Sequence, residues 1–578
     1  MVISVQDKSW TPSNGNSKKM RQSLLLILTV LLSTQNALAD ESAQIKRLID
    51  TVYSQGCQNI DQQLSPLFSS ANPIKGLRQA IFFTQAKSLH TDNFVLEILY
   101  RLQWQLGKIF KSQEKWEQAS YAYQQAKQAL ERLRKMGIKP SQTVSQQVYY
   151  GLVDILFTRY EKEKRQGLLK EVVETVELFK QAELENYFQD DCLVTGNADR
   201  VENHLGKQTA IFYPILFPKA AGTRSVELLL ISPNKKIKWI KPPWRSVNED
   251  ISNFKEKVEA FRRALENPPR ENPPGKSAKQ HGNALYQLLL KPIENQLKNI
   301  KVLVFVPDGI LRTIPLVALF DGQAFVVDKH YAVVTIPGLS LTKSVGTPLR
   351  KNPRILLAGM SQAVSLTKSV YFSQLSKTQE ALRAIQRLYP DHNRVIQDEE
   401  FLISQLKQEM YKIPSNTIVH LHTHATFGKE QKDTFLLTYN TKLDQNDRLT
   451  MDRLEDIFSI GELRQSPIEL LTLGACETAK GDEQAALGLA GVAFKSGAKS
   501  VLATLWRVDE RFTSKLMEGF YKRLKAGQSR VHALQGAQRE IMSLKESREG
   551  IVPRDGSEKT SSLIARYWAP FILIGDWF

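Results

Sequence analysis

The sequence predicts a multidomain protein, with an all-helical N-terminal part and a C-terminal α/β domain whose mostly parallel sheet lies between helix layers. Its 578 residues exceed what one domain normally holds. Between residues 40 and about 195, glycine and proline are sparse and apolar residues recur at helical spacing. Beyond about residue 205, short apolar runs alternate with helical patterns, which favours a parallel sheet.

The first 39 residues have the pattern of a secretory signal peptide. A basic segment, residues 18–21, precedes the apolar run Leu24–Leu32, and small residues predict cleavage after Ala39. An uncleaved anchor is the alternative, although this run is too short to span a bilayer as a helix. Translation could start at Met1 or Met20. We expect an exported mature chain, periplasmic or extracellular, with no membrane span.

The composition is that of a globular protein with an excess of base. The formal net charge is +18, from 78 basic and 60 acidic residues. The bases are spread along the chain without an arginine-rich arm, zinc knuckle or aromatic RNA-binding motif, which favours a solvated basic surface over nucleic-acid binding. We expect no cofactor.

Three cysteines are present: Cys57, Cys192 and Cys476. In an oxidising compartment an odd cysteine is a candidate free thiol. Cys57 and Cys192 could pair and leave Cys476 free, and the sequence leaves that pairing open.

Residues 40–200 are predicted to form a helical domain with TPR-like repeats. Glycine at a close helix approach and alanines on the facing helix match a tetratricopeptide hairpin, which needs neighbouring repeats to bury its faces. The matching residues are Leu106, Gly107, Phe110, Ala119, Tyr123 and Ala126. An unrelated helical bundle is the alternative. Such repeats would recruit a protein partner.

Residues 201–280 are predicted to connect the two domains. They contain three strands, a charged helix and a proline-rich linker that cannot continue a helix. The strands begin at Thr209, Val226 and Ile237, the helix covers Val247–Leu265, and the linker covers Asn267–Lys276.

Residues 281–578 are predicted to form the α/β domain. Functional groups of such a sheet gather at the carboxyl ends of its strands. The predicted strands are 302–306, 355–359, 417–421, 468–473, 500–506 and 570–575, and the helices are 284–297, 376–388, 488–496, 512–526 and 530–544.

A histidine and a cysteine each follow one of these strands. Cys476 comes after small Gly474 and Ala475, which let the backbone turn tightly and a substrate approach. His424 lies 52 positions earlier and could take the thiol proton and return it to a leaving amine. In caspases the histidine lies about 50 residues before the cysteine. The spacing therefore predicts a catalytic His–Cys pair.

A metal site is the rival interpretation of the histidines at 420, 422 and 424, because they would share one face of a strand. A metallo-hydrolase needs a further Asp or His close behind, whereas the next residues are Ala425, Thr426 and Phe427. The sequence therefore favours no metal, with His420 and His422 packed beside His424.

From about residue 283 to 578 the chain resembles CHAT-domain proteins of the caspase–separase group, with motifs in the same order. TPR repeats commonly precede this domain, and Phe188–Cys192 resembles a junction of cyanobacterial members. The motifs are Val304–Leu316 for the opening strand, Val419–Ala425 for the histidine, Leu473–Ala479 for the cysteine, Gly488–Asp509 for the following helix and strand, and Tyr567–Trp577 for the ending.

The resemblance implies a caspase-like fold and cysteine endopeptidase activity on a protein or peptide substrate. It makes Cys476 the nucleophile and His424 the general base, with backbone N–H groups of Ala425 and Cys476 as oxyanion donors. Family members often have glycine after the histidine, and Ala425 here favours the alternative, a catalytically silent scaffold or regulatory module.

Substrate choice rests on Asp509 and Glu510. The segment Thr504–Glu510 is similar to one that shapes the pocket for a basic residue in separase, so either acid could pair with Arg or Lys before the cut bond. The alternative is that both acids cap the helix that starts near Phe512.

Overall fold

The structure of the protein is a computed structural model. Residues 1–38 of the predicted signal peptide (1–39), Cys57, Cys192 and Cys476 lie outside the described residues. The described residues are 39–54, 60–87, 93–188, 206–219, 224–241, 251–267, 277–342, 346, 348–349, 352–367, 370–412, 417–428, 430–439, 448–463, 468–474, 483–547, 550–553 and 562–578.

Contacts divide the chain into two compact units, Met1–Ser141 and Gln142–Phe578. The division falls earlier than the boundaries at residues 200 and 280 that the sequence predicts, and those boundaries stay predictions. Within the described ranges, no helix is both long and apolar enough to cross a membrane.

The first unit is helical in its described residues. Its helices cover 39–54, Ile60–Phe68, Pro73–Ala86, Asn93–Ser112 and Trp116–Lys135. The last two form a hairpin, in which a Cβ placed on Gly107 would lie 2.5 Å from the Tyr123 ring. Ala119 and Ala126 are fully buried, so small residues permit the close approach expected of the hairpin. The assignment of TPR repeats stays a prediction.

The second unit contains a mixed sheet of eleven strands. The sheet strands are β1 (Thr209–Leu216), β2 (Val226–Ile231), β3 (Ile237–Ile240), β4 (Val302–Phe305), β5 (Ala332–Thr335), β6 (Arg354–Gly359), β9 (Asn393–Gln397), β10 (Thr417–His422), β14 (Leu470–Leu473), β15 (Ser500–Thr504) and β18 (Phe571–Gly575). Their order in the sheet is β3-β2-β1-β4-β5-β18-β15-β14-β10-β6-β9.

Most neighbouring strands of this sheet are parallel, as the sequence predicts. The antiparallel pairs are β1–β2, β2–β3 and β15–β18. Strand β1 pairs in parallel with β4, so the strands predicted to connect two domains extend the main sheet instead. Smaller sheets contain β7 (Val364–Thr367) with β8 (Val370–Phe372), β11 (Ala425–Thr426) with β12 (Phe435–Leu437) and β13 (Arg448–Thr450), and β16 (Leu544–Ser547) with β17 (Gly550–Pro553).

Helices cover the sheet in rows. Every residue of β10, β14 and β15 is buried, because apolar side chains of these strands are covered on both faces. One row consists of Thr378–Leu388, Glu510–Lys525, Arg530–Met542 and Ser562–Trp568. A second row consists of Gln166–Phe188, Glu483–Lys495, Met451–Leu463 and Ile403–Lys412. The other helices of the unit are Gln142–Glu163, Ile251–Glu266 and Ala278–Leu289.

Buried ionic groups attach helix Gln166–Phe188 to the loop that follows β4. Lys180 Nζ donates to the carbonyl oxygen of Pro307 at 2.7 Å and lies 3.7 Å from an Asp308 oxygen. Arg312 donates to Glu183 at 2.5 Å. Since unpaired buried charges are costly, these pairs fix the helix to the sheet.

Candidate active site

The candidate site lies at the carboxyl ends of β10 and β14, which are parallel neighbours in register Leu421↔Leu473. Strand β10 ends at His422, and β14 ends one residue before Gly474. The Gly474 N–H donates to the Leu421 carbonyl oxygen at 2.8 Å, which continues the pairing to the strand ends. Parallel strands thus bring the His424 segment and the start of the Cys476 segment to one edge of the sheet.

His424 has a defined orientation in this edge. Its Nε2 lies 2.7 Å from the Ser373 carbonyl oxygen, and its ring packs 5.1 Å from that of Phe372. Because a carbonyl oxygen only accepts, the hydrogen of the neutral imidazole resides on Nε2. Nδ1 is therefore the basic nitrogen, the one that can take a proton.

A hairpin fixes the backbone of His424. The Leu437 N–H donates to the His424 carbonyl oxygen at 2.9 Å, and the Thr423 hydroxyl donates to the Leu437 carbonyl oxygen at 2.8 Å. Ala425 starts β11 opposite Leu436. The ladder bond joins the flanking residues His424 and Leu437, so Ala425 and Leu436 form a non-hydrogen-bonded pair. The Ala425 N–H therefore points away from β12. That direction suits an oxyanion donor.

Gly474 is the last described residue before the predicted nucleophile. A Cβ on Gly474 would lie 2.6 Å from His422 Nδ1, so only glycine fits against that imidazole. Ala475 and Cys476 lie outside the described residues, and the chain is described again from helix Glu483–Lys495. The predicted Cys476 oxyanion donor therefore stays a prediction.

A cleft of about 440 Å³ opens at this edge of the sheet. It contains His424, the predicted general base, and Gly474, which lies two positions before the predicted nucleophile. It also contains Asp509 and Glu510, the predicted substrate pocket, so these described residues lie together. The complete lining is Glu266, Asn267, Leu375, His422, His424, Gly474, Thr504, Arg507, Val508, Asp509, Glu510, Thr513, Arg566 and Tyr567.

The carboxylates of this cleft also have structural partners. Asp509 is the N-cap of helix Glu510–Lys525 and accepts from the Arg511 backbone N–H at 2.9 Å and from its guanidinium at 3.0 Å. Burial opposes the charge of Asp509, but the hydrogen bonds from Arg511 outweigh it and lower the pKa of the carboxyl. Glu510 accepts from the Lys377 backbone N–H at 2.7 Å. Asp509 thus makes the cap that the alternative interpretation expected.

Two arginines line the same cleft. Arg507 donates to the Ser373 hydroxyl at 2.8 Å, so Ser373 contacts both this arginine and His424. The Arg566 carbonyl oxygen accepts from the Trp506 indole at 3.1 Å, which ties the chain segments of the two arginines together. Among the described residues, neither guanidinium forms an ion pair with a carboxylate.

His420 and His422 are completely buried behind His424, with their rings stacked 6.1 Å apart. Burial, followed by the charge of His424, lowers the pKa of His422 to about 4. Burial also lowers the pKa of His420, whose Nδ1 lies 3.1 Å from the Tyr521 hydroxyl. In the described part of the chain, no group of three His, Cys, Asp or Glu side chains is arranged to hold a metal.

Sequence reasoning missed Ser373 and Arg507. Ser373 binds His424 through its backbone carbonyl, which every residue type has, so the sequence carries no signal for it. Arg507 lies inside the Gly488–Asp509 motif, and its position directly before the predicted pocket acids is the only hint of a place in the cleft.

The fold and the site define an α/β domain with a mostly parallel sheet, in which His424 follows one strand and Gly474 follows the neighbouring strand. The CHAT domain family model matches residues 279–576, which is just over half of the chain. The chain therefore belongs to the CHAT domain family.

Comparison with solved structures matches this chain to two proteins at low sequence identity and low TM-score. Separase of Saccharomyces cerevisiae, in two crystal structures of its complex with securin, is 10% identical with a TM-score of 0.38, and the match covers 93% or 94% of this chain. The chain spans 40% of that separase chain. The Arg-specific cysteine proteinase gingipain R is 7% identical with a TM-score of 0.30, over 56% of this chain and 75% of its own. No curated protein is similar enough in sequence to be matched.

Proposed function

We propose that this protein is a cysteine endopeptidase in which Cys476 is the nucleophile and His424 the general base. The observation that carries the proposal is the orientation of His424. Its Nε2 is held by Ser373, which makes Nδ1 basic, and the residue lines the same cleft as Gly474, two positions before Cys476. A peptide entering this cleft would reach the ends of both strands.

The reaction follows from these groups. Nδ1 of His424 takes the thiol proton as the Cys476 sulfur attacks the scissile carbonyl carbon, and the carbonyl oxygen becomes an oxyanion. The backbone N–H groups of Ala425 and Cys476 donate to this oxyanion. His424 then gives the proton to the leaving amine as the C–N bond breaks, and water hydrolyses the thioester to release the acid and the thiol.

The preferred substrate side chain depends on the charges of the cleft. The sequence predicts a basic residue before the cut bond, through Asp509 or Glu510, and we keep this as a proposal. Arg507 and Arg566 oppose it, because cations in the same cleft repel a basic side chain. A peptide library that varies one side chain between Arg, neutral and Glu measures which pair of charges dominates.

An electrophilic peptide probe with a neutral side chain tests the activity itself. We expect labelling of the wild type and its loss in Cys476→Ala, because the probe needs the thiolate. His424→Ala should slow labelling by about a hundredfold or more, the usual contribution of general base catalysis. Cys57→Ala and Cys192→Ala are matched controls for the other cysteines, and labelling that depends on Cys476 should persist in both. Equal labelling of wild type and Cys476→Ala would refute the proposal.

The proposal includes export and a partner for the N-terminal helices. The signal peptide pattern supports a mature chain that begins at Asp40, which N-terminal sequencing of the exported protein would test. The Gly107–Tyr123 hairpin supports repeats that bind a protein partner. Loss of co-purification after replacing exposed Tyr121 of this hairpin, with the fold retained, would support that surface.

A catalytically silent scaffold is the second candidate, and Ala425 is the residue that favours it. The Ala425 side chain is fully buried, so its methyl group is not exposed where a substrate could meet it. A cellular function that survives both Cys476→Ala and His424→Ala would support the scaffold over the peptidase.

A further inference from the structure

The C-terminal end of helix Gln166–Phe188 contacts the loop after His424 and the helix that follows the Cys476 segment. Tyr187 and Phe188 are its last residues and are buried. Tyr187 reaches the loop after His424, and both rings pack on helix Glu483–Lys495, which follows the Cys476 segment. We call these two residues the Tyr187–Phe188 pair.

Tyr187 completes a ring of three hydrogen bonds. Its hydroxyl donates to the Gly428 carbonyl oxygen at 3.0 Å. Thr434 Oγ1 lies 2.8 Å from the same hydroxyl and accepts from the Gly428 N–H at 3.1 Å. Since each hydroxyl has one hydrogen and that of Tyr187 goes to Gly428, Thr434 donates to Tyr187.

This ring closes the hairpin that fixes His424. Gly428 follows β11 and Thr434 precedes β12, so the three bonds hold together the two ends of the turn between these strands. β12 in turn holds the His424 carbonyl oxygen through the Leu437 N–H. Displacement of the turn therefore moves the backbone of the general base directly.

On its other side the pair packs against glycines. A Cβ on Gly488 would lie 2.4 Å from the Tyr187 hydroxyl, and one on Gly491 would lie 2.0 Å from the Phe188 ring. The Lys495 ammonium lies 5.3 Å from the centre of the same ring. The helix that begins after the Cys476 segment is thus seated directly on the pair, and glycine is required at both contacts.

We infer that Tyr187 is a positioning residue of the active site: its hydroxyl fixes the His424 hairpin relative to the helix that follows Cys476. The inference rests on the proposed peptidase function. Tyr187 precedes the matched family segment 279–576, so the active site depends on a helix outside that segment.

The test compares Tyr187→Phe with wild type by the pH dependence of Cys476 alkylation with iodoacetamide. Phenylalanine removes the hydroxyl and keeps the ring, whose Cζ lies 3.0 Å from a Cβ placed on Gly488. We expect the neutral-pH rate to fall roughly tenfold, because small displacements of a catalytic group cost about that much or more. The midpoint of thiol reactivity should rise toward that of a free cysteine, since the imidazole stabilises the thiolate less well. A merely structural loss would not move that midpoint.

Tyr213→Phe is the matched control. The Tyr213 hydroxyl donates to Glu177 Oε1 at 2.8 Å, so its loss removes a buried phenol bonded to the same helix far from the hairpin. Thr434→Val provides a coupling test. If both hydroxyls act through one ring, the double variant Tyr187→Phe/Thr434→Val reacts no more slowly than the slower single variant. Faster amide exchange at Gly428 in Tyr187→Phe would support the same conclusion independently of reactivity.

Three results would overturn the inference. An unchanged midpoint in Tyr187→Phe, with labelling still dependent on Cys476, refutes the positioning role and leaves the peptidase intact. Equal slowing in Tyr187→Phe and Tyr213→Phe shows only a loosened helix. Labelling of the wild type that does not depend on Cys476 refutes the peptidase and this inference together.

Discussion

The buried imidazole of His422 should make the fold sensitive to acid. His422 is completely buried, and neither ring nitrogen has a hydrogen-bond partner in the described part of the structure. Burial lowers the pKa of His422 from 6.5 to about 4. We propose the replacement His422→Leu, which removes the titrating group and two unsatisfied polar atoms at similar volume.

The sign and size follow from proton linkage. As the pH falls below 6.5, the unfolded chain protonates this histidine while the folded chain keeps it neutral until about pH 4. The unfolded state binds more protons in this window, so stability falls as the pH falls. Each pKa unit corresponds to about 1.4 kcal/mol, which gives a loss of about 3 kcal/mol that is complete below pH 4. The leucine variant should lack this loss.

Urea unfolding between pH 4 and 7, followed by tryptophan fluorescence, measures the effect. Trp506, Trp568 and Trp577 are almost completely buried in the unit that contains His422, so they report on its unfolding. His392→Gln, which removes an exposed histidine, controls for the loss of a histidine as such. His420 retains a lowered pKa, so some acid sensitivity should remain. Identical slopes of stability against pH in wild type and His422→Leu would refute the reasoning.

Three further predictions concern the buried charges of helix Gln166–Phe188, the end of strand β14 and the arginines of the cleft. Lys180→Met should destabilise the fold by about 3 kcal/mol in urea unfolding, because it breaks a buried ionic network. Lys170→Met, at an exposed position on the same helix, should cost under about 1 kcal/mol. Equal effects of the two replacements would contradict this reasoning. Gly474→Ala should cost about 1–3 kcal/mol of stability by overpacking against His422 Nδ1, and it should slow labelling of Cys476. The additional replacement His422→Ala should relieve this loss of stability. A loss that is not relieved would argue against that contact. Arg566→Gln should raise kcat/KM several-fold for peptides with Arg at the varied position and lower it several-fold for peptides with Glu there. An unchanged ratio of these two kcat/KM values would exclude Arg566 from the substrate path.

The sequence predicted the strands that carry the candidate site because each is a short, mostly apolar run. β10 and β14 lie where the runs at 417–421 and 468–473 predict them, and their parallel pairing brings the His424 segment beside Gly474. Helix Glu483–Lys495 begins five residues before the predicted start at 488, because its first turn lacks the apolar spacing on which that start relied.

Other elements gave no such signal. The hairpin of β11, β12 and β13 has strands of two or three residues, too short for a period to be visible. Ser373 binds His424 through a carbonyl oxygen, and Tyr187 binds Gly428 across 241 positions of sequence. Contacts made by backbone atoms or across such separations depend on the assembled sheet, and a single sequence does not encode them as a local pattern.

The buried charges of helix Gln166–Phe188 show where the structural unit around the candidate active site begins. Glu177 accepts from the Tyr213 hydroxyl and from the Ser340 N–H, both at 2.8 Å. Glu183 pairs with Arg312, on the loop after β4. Glu183 on the helix and Arg312 on the loop are both buried. A sheet without the helix would leave the Arg312 guanidinium without the Glu183 carboxylate, at a cost of several kcal/mol. The helix and the sheet must therefore fold together, and with them Tyr187 reaches the His424 hairpin. The family segment that starts at residue 279 is consequently shorter than the physical unit that holds the candidate active site.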